Sequence, residues 1–230
     1  MAAVADDVAS GLGAMSLTSF DEKELLEQGF VVIEKAVTED KIRKLLYETP
    51  LKSRSSIRKI LSTRKVPEGM VAVPRSKGRL DLQLPDSIPC LLEGTGILEQ
   101  LHNLLNKDLK GQVPPPLKTQ IRTRNILYTA PGAVDQPWHT DGGDDEKTGS
   151  YYTVIVSLTK STPKLGTIEL QPFSHTDPES EEPAIAMKLD CGDVIIFDGQ
   201  INHRGTTNPS QKKRFTWYAV LSQQNDLNVF

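Results

Sequence analysis

The stretch Gln136-Pro137-Trp138-His139-Thr140-Asp141 carries the reading of this chain. On an extended strand, residues i and i+2 project to the same face, so His139 and Asp141 can both reach a single metal ion. A third ligand, His203, follows the apolar run Asp193-Val194-Ile195-Ile196-Phe197-Asp198 and a short turn. Two imidazoles and one carboxylate on one face leave coordination positions open, which is the donor set of non-haem Fe(II) oxygenases. Arg214 stands eleven residues beyond His203. Its planar fork is suited to holding a carboxylate at two points. The pattern implies an iron site beside an anchor for an organic acid cosubstrate.

The residue types fit that chemistry. Ferrous iron takes imidazole and carboxylate, whereas a structural zinc site would favour thiolates. Three protein ligands leave room for a chelating 2-oxo acid and for O2. Splitting the acid to succinate and CO2 supplies an oxidant able to take a hydrogen atom from carbon. Aspartate at 141, where a halogenase needs glycine or alanine, argues against halogenation. His175, in Pro172-Phe173-Ser174-His175, has no partner at strand spacing and reads as a loop histidine bonding backbone. His102 falls on the polar side of a helix and reads as solvent-facing. Arg214 has rivals in Lys212 and Lys213, and strand parity together with the turn before the strand favours the arginine. If Arg214 points inward, so do Thr216 and Tyr218, while Phe215 and Trp217 pack outward. Arg214 and Thr216 then form a two-point clamp, and the lysines sit in a solvated turn.

Outward from the motif, residues 117–222 read as strands separated by turn signals. The strands are expected at 118–129, 136–140, 151–158, 166–171, 184–189, 193–197, 201–204 and 213–222, with turns at Pro131-Gly132, 147–149, 190–192 and Asn208-Pro209. About eight strands at this spacing predict a mainly β fold with flanking helices, built on a jelly roll (a double-stranded β-helix, cupin-like). Before them, Ser19 and Glu22 form a capping-box pattern for a helix over 21–28 that Gly29 ends. Phe30–Glu34 reads as a strand, and Thr38 opens a second helix with Ile42, Leu45 and Leu46 on one face, stopped by Pro50. Arg79–Leu84 alternates polar and apolar residues as a half-buried strand does, and Ile97, Leu101, Leu104 and Leu105 mark a third helix. The expected organisation is a disordered leader over 1–16 and one domain over 17–230. In that domain a helical cover spans 19–107 and the jelly-roll core about 117–222.

Composition excludes several classes. Hydrophobic content of 37% and charged content of 25% are ordinary for a globular chain. A net charge of −3 gives no pull toward nucleic acid or anionic membrane. No apolar run approaches a bilayer span. The leader lacks a basic n-region and an apolar core, so no secretory signal is expected, and Cys90 and Cys191 form no metal or disulfide framework. A reducing, cytoplasmic location is the default. Residues 51–79 hold nine Lys or Arg against the single acid Glu68, a run that reads first as a solvated surface and second as a site for an anionic group.

The motifs resemble those of the phytanoyl-CoA dioxygenase-like Fe(II)/2-oxoglutarate oxygenases, a family that includes ectoine hydroxylase. Tyr128-Thr129-Ala130-Pro131-Gly132 followed by Gln136–Asp141 is similar to the family's first metal motif. Thr162-Pro163-Lys164-Leu165-Gly166 and Pro172–His175 are similar to its T-P-x-x-G and P-G-S-H segments, with Phe173 where glycine is usual. Gly192-Asp193, His203-Arg204-Gly205, Asn208 and Arg214 match the second half.

The resemblance implies His139, Asp141 and His203 as iron ligands and Arg214 as the partner of the 2-oxoglutarate C5 carboxylate. Thr153 takes a hydroxyl position that also contacts the cosubstrate; its plain alternative is an ordinary strand threonine. Arg122 and Arg79 lie on strands that can border the cavity and are candidate substrate contacts. The implied activity is hydroxylation of a small organic substrate with release of succinate and CO2. The alternatives are a hydroxylase of protein side chains and a jelly-roll binding protein without catalysis.

Overall fold

Asp21, rather than Ser19, starts the first helix of the computed structural model, which describes residues 19–48, 70–107, 120–141 and 151–222. The Asp21 carboxylate accepts from the Lys23 and Glu24 amides, satisfying two donors that the helix start leaves orphaned. In chain order the elements are α1 (Glu22–Gln28), β1 (Phe30–Ile33), α2 (Glu39–Arg43) with a π-helical turn at Lys44–Glu48, β2 (Met70–Ala72), β3 (Arg79–Gln83), α3 (Ile97–Lys107), β4 (Gln120–Thr129), β5 (Tyr151–Ser157), β6 (Ile168–Leu170), β7 (Ile185–Ala186), β8 (Val194–Asp198), β9 (His203–Gly205) and β10 (Arg214–Ser222). Gly29 closes α1 at φ 90°, a left-handed turn that feeds the chain directly into β1. Thr38 caps α2, its hydroxyl accepting from the Lys41 amide.

The strands form two sheets. The larger runs β1-β8-β5-β10-β4-β3-β2 with every pair antiparallel, and the smaller runs β7-β6-β9. This is the double-sheet jelly roll expected from the strand spacing. The stretch before residue 107 contributes helices and also both edges of the main sheet: β1 pairs with β8 at one side, β3 with β4 at the other. These additions occupy backbone donors and acceptors that open edges would leave unpaired.

One expected strand is absent. Between 136 and 140 the one bridge is His139 with His203, beside a single hydrogen bond from the Gln136 amide to the Gly205 carbonyl. Pro137 has no amide hydrogen to give to a ladder, so the segment cannot extend as a strand. The basic residues up to 69, the loop 142–150 and the leader 1–16 lie outside the described residues.

Period-two alternation sends the strand side chains into two separate cores. Val154, Val156, Val194, Ile196, Trp217, Ala219 and Leu221 are buried on the outer face of the main sheet, in the same cluster as Leu25 of α1 and Ile97, Leu101, Leu104 and Leu105 of α3. Each of those α3 side chains is at most 2% exposed, and full burial of such a residue stabilises by about 1.5–3 kcal/mol. Ile195 and Phe197 point the other way, clustering with Leu170 of β6 and Met187, Leu189 and Ile201 between the sheets. Trp217 is fully buried on the helix side, as parity predicts. No helix among the described residues is long and apolar enough to cross a membrane.

Candidate metal centre

The bridge between His139 and His203 is the first determinant of the site. Each residue's amide donates to the other's carbonyl, at 3.0 and 2.9 Å, which sets the two rings 4.4 Å apart. The same device then orients both imidazoles. His139 Nδ1 lies 2.9 Å from the Pro137 carbonyl and His203 Nδ1 lies 3.0 Å from the Ile201 carbonyl, each two residues back. A carbonyl only accepts, so each Nδ1 carries a hydrogen and Nε2 is the ring nitrogen left to face a metal.

Asp141 sits past the bridge in a bend, its amide donating to the Gly199 carbonyl at 3.0 Å. Its Oδ2 accepts from the Thr153 hydroxyl at 2.6 Å, and its Oδ1 lies 3.6 Å from His203 Nε2. One ligand atom from each of His139, Asp141 and His203 falls within 4.8 Å of the others, so the three can hold one ion. The i and i+2 placement expected on a strand is achieved instead by a bridge followed by a bend. Burial pushes the His203 imidazole below its ordinary pKa, against the opposing pull of Asp141 and with some help from His139. The neutral imidazole is the form that ligates. The Phe197 ring, 4.8 Å from that of His203, closes one side.

The three residues line a cavity of 360 Å³ that also reaches Arg214, Thr216 and Tyr218 on β10. Arg214 is 5% exposed and gives one long hydrogen bond, 3.4 Å from Nη2 to the Thr129 hydroxyl. Its Nε and Nη1 are buried with no partner. Burial, and then the nearby Arg79, push its pKa down to about 10. Gly166, at φ 81°, passes beside it: an added Cβ would stand 2.6 Å from the Thr207 carbonyl and 3.1 Å from Arg214 Nη1. Only glycine suits that backbone and that approach. Lys212 and Lys213 are exposed. A buried guanidinium with bare nitrogens in a cavity fits an organic dianion, and a two-nitrogen, one-oxygen donor face fits ferrous iron.

The other predicted site residues are placed as follows. Thr153 spends its hydroxyl on Asp141, so its visible contact is with the ligand set. Arg79 is 1% exposed and stands off the cavity wall. It donates to the Val134 carbonyl, to Ser76 Oγ at 3.3 Å and to the Thr206 carbonyl at 2.7 Å, binding loops together rather than facing open space. Arg122 belongs to β4, but its side chain lies outside the described residues. His175 bonds the Leu26 carbonyl at 3.2 Å, the loop role expected for it. His102, read as solvent-facing, is half-buried and bonded to Asn106. Phe173 holds φ 64°, so the loop keeps a glycine-like backbone despite its side chain.

Asp81 was missed, although Arg79, Asp81 and Gln83 form the polar half of an alternating strand. Polar residues on such a strand are ordinarily assigned to solvent. Here the apolar half, Leu82 with Leu84 beyond it, packs into the helix-side core, and Asp81 lines the cavity.

Comparisons with known proteins agree with this geometry. The family described as Phytanoyl-CoA dioxygenase (PhyH) matches residues 25–216. A curated relative, "Dioxygenase easH" of Epichloe festucae var. lolii, is 32% identical over 94 residues, which cover 36% of this chain and 51% of that protein. The match thus spans about half the length of that relative. Among solved structures, the non-heme alpha ketoglutarate dependent carbocyclase SnoK from nogalamycin biosynthesis superposes with a TM-score of 0.60 at 17% identity, over 87% of this chain and 81% of that one. HygX from Streptomyces hygroscopicus, with nickel and 2-oxoglutarate bound, superposes with a TM-score of 0.58 at 12% identity, over 90% and 89%. At such identities the likeness speaks for the fold.

Proposed function

The chain belongs to the phytanoyl-CoA dioxygenase family, and from that premise we propose that it is an Fe(II)- and 2-oxoglutarate-dependent dioxygenase that hydroxylates carbon in a small organic substrate. The observation that carries this reading is one cavity holding a His139–Asp141–His203 donor face at one place and, at another, the Arg214 fork with two of its three nitrogens bare. Bound together, iron and 2-oxoglutarate would let O2 place one oxygen atom in a C–H bond and the other in succinate, with CO2 leaving.

The chain's own residues have four tasks in this scheme. His139 and His203 turn their Nε2 atoms toward the ion position because their Nδ1 hydrogens are committed to backbone carbonyls. Asp141 is steered by the Thr153 hydroxyl, which leaves Oδ1 for the ion. Arg214 receives the distal carboxylate of the cosubstrate, with the Thr216 hydroxyl as its neighbour on the same strand face. Ile155, Ile168, Leu189 and Phe197 form apolar walls that keep water from the reacting carbon.

The test is purified protein supplied with Fe(II), 2-oxoglutarate and O2. The expected result is stoichiometric binding of iron and 2-oxoglutarate, with succinate forming as 2-oxoglutarate is consumed. A protein that binds neither and makes no succinate overturns the reading.

A further inference from the structure

The cavity has a second polar end. β3, β4 and β10 are hydrogen-bonded neighbours, and their Cα partners fall into rows: Arg79–Thr129–Arg214, then Asp81–Leu127–Thr216, then Gln83–Asn125–Tyr218. Asp81 is therefore one inward step away from the arginine row. Its Oδ2 accepts from the Tyr218 hydroxyl at 2.8 Å and from Asn125 Nδ2 at 2.6 Å, and those two donors lie 3.0 Å apart. Burial, reinforced by Asp81, holds the Tyr218 phenol protonated, far above its ordinary range, so it remains a donor.

The cluster is short of donors. Asp81 Oδ1 and Asn125 Oδ1 are both buried with no hydrogen-bond partner. A polar network that only braced three strands would close on itself, because buried acceptors are nearly always satisfied. The charge is also uncompensated. In the proposed iron site, the charges of the metal and Arg214 together offset those of Asp141 and the 2-oxoglutarate dianion. No described Lys, Arg or His pairs with Asp81, and its recorded partners are neutral. Asp81 and Tyr218 line the same cavity as the metal-binding residues, and Val71, Ala72, Val73 and Pro74 line it from the β2 side. A ligand that brings several N–H donors and one positive charge, on an apolar body, meets each of these needs.

We propose that Asp81, braced by Tyr218 and Asn125, is the substrate-recognition point of this cavity and that it selects a small protonated amine. The proposal rests on the oxygenase reading for what happens to the amine, but not for its binding. Asp81 holds the ammonium group, the Val71–Pro74 wall takes the hydrocarbon, and the carbon to be oxidised is thereby turned toward the metal face.

The probes are short linear primary amines, with alcohols and carboxylates of equal length. Binding is followed by saturation-transfer NMR on the full chain, with and without Ni(II) and 2-oxoglutarate, and turnover by succinate release with Fe(II). Amines are expected to bind about tenfold or more tightly than the matching alcohols, the scale of a charge-assisted contact, while carboxylates fail to compete once 2-oxoglutarate occupies Arg214. Asp81→Asn should bring amines and alcohols to parity. Equal binding of amines and alcohols by the unaltered protein overturns the proposal whether or not the variant folds, as does an amine preference that survives in Asp81→Asn. Selective amine binding by a protein that binds neither iron nor 2-oxoglutarate and makes no succinate leaves Asp81 as the recognition point and overturns the oxygenase reading instead. Succinate formation without amine preference does the reverse.

Discussion

Arg79 and Arg214 pair in register with Thr129 from opposite sides, are at most 5% exposed, and are both lowered by burial to about 10. They differ in what completes them. Two carbonyls and a serine hydroxyl close the Arg79 fork, leaving only Nε without a partner. Arg214 has one long contact to Thr129 and two bare nitrogens. Burial and pKa therefore do not separate a structural arginine from a receptor for an acid; the count of partners does. A closed fork ties the loops at Val134 and Thr206 to β3, whereas an open fork in a cavity is held ready for something the chain does not supply.

The contrast has meaning only if the open fork belongs to a metal site, so the metal end is the first place to break it. His203→Ala removes one of three ligands and should show the largest effect of all: iron content at background and succinate formation no greater than without enzyme. Metal analysis and succinate assay on the purified variant decide this. Full iron and full turnover would return His203 to the role of a satisfied core histidine.

The arginines themselves come next, each replaced by methionine. Arg79→Met strands the Val134 and Thr206 carbonyls and should lower stability by about 3 kcal/mol in denaturant titration, with little change in the 2-oxoglutarate requirement. Arg214→Met should do the opposite. Loss of a charge-assisted two-point contact, roughly 2–3 kcal/mol, raises the 2-oxoglutarate requirement about a hundredfold. The ligand-free variant should be as stable as the unaltered protein or up to about 1 kcal/mol more so, because an unpaired buried charge has given way to an apolar side chain. If the two variants behave alike in both assays, partner count does not distinguish the arginines.

The readable and unreadable parts of the sequence divide along the same line. The candidate metal cluster was legible because iron sites restrict their ligands to a few residue types, and the cavity wall on β10 because parity carries side-chain direction: Arg214 and Thr216 do line the cavity while Trp217 packs toward the helices. The jelly roll was legible from turn signals between apolar runs. Arg79 and Asp81 were harder, because alternation reports two faces and not which of them meets solvent. On β3 the helix-side core takes the leucines, which turns Asp81 into the cavity and Arg79 toward the loops it ties. The stretch 136–140 misled for a local reason, since its proline has no amide hydrogen to give to a ladder. The cap at Asp21 was missed because two capping patterns overlap and the carboxylate nearer the first turn reaches two amides at once.

Thr153 sharpens the contrast on the metal side. Its hydroxyl has one visible acceptor, Asp141 Oδ2 at 2.6 Å, although the family resemblance suggests contact with the cosubstrate. Asp141 is exposed; among the described residues its backbone is held by the hydrogen bond to the Gly199 carbonyl and its Oδ1 lies 3.6 Å from His203 Nε2, so the Thr153 hydroxyl is the donor that aims Oδ2. Thr153→Val keeps the shape and β-branching of a buried strand residue and removes only that donor. Partners that orient a ligand in this way typically contribute 10- to 100-fold in metal affinity, and a single hydroxyl belongs near the lower end, so iron binding should weaken about tenfold. At saturating iron the 2-oxoglutarate requirement should stay close to that of the unaltered protein, because Arg214 is untouched. Iron titration in the presence and absence of 2-oxoglutarate separates the two roles. Unchanged iron affinity with a raised 2-oxoglutarate requirement would move Thr153 from the carboxylate ligand to the cosubstrate, placing it with the open fork of Arg214.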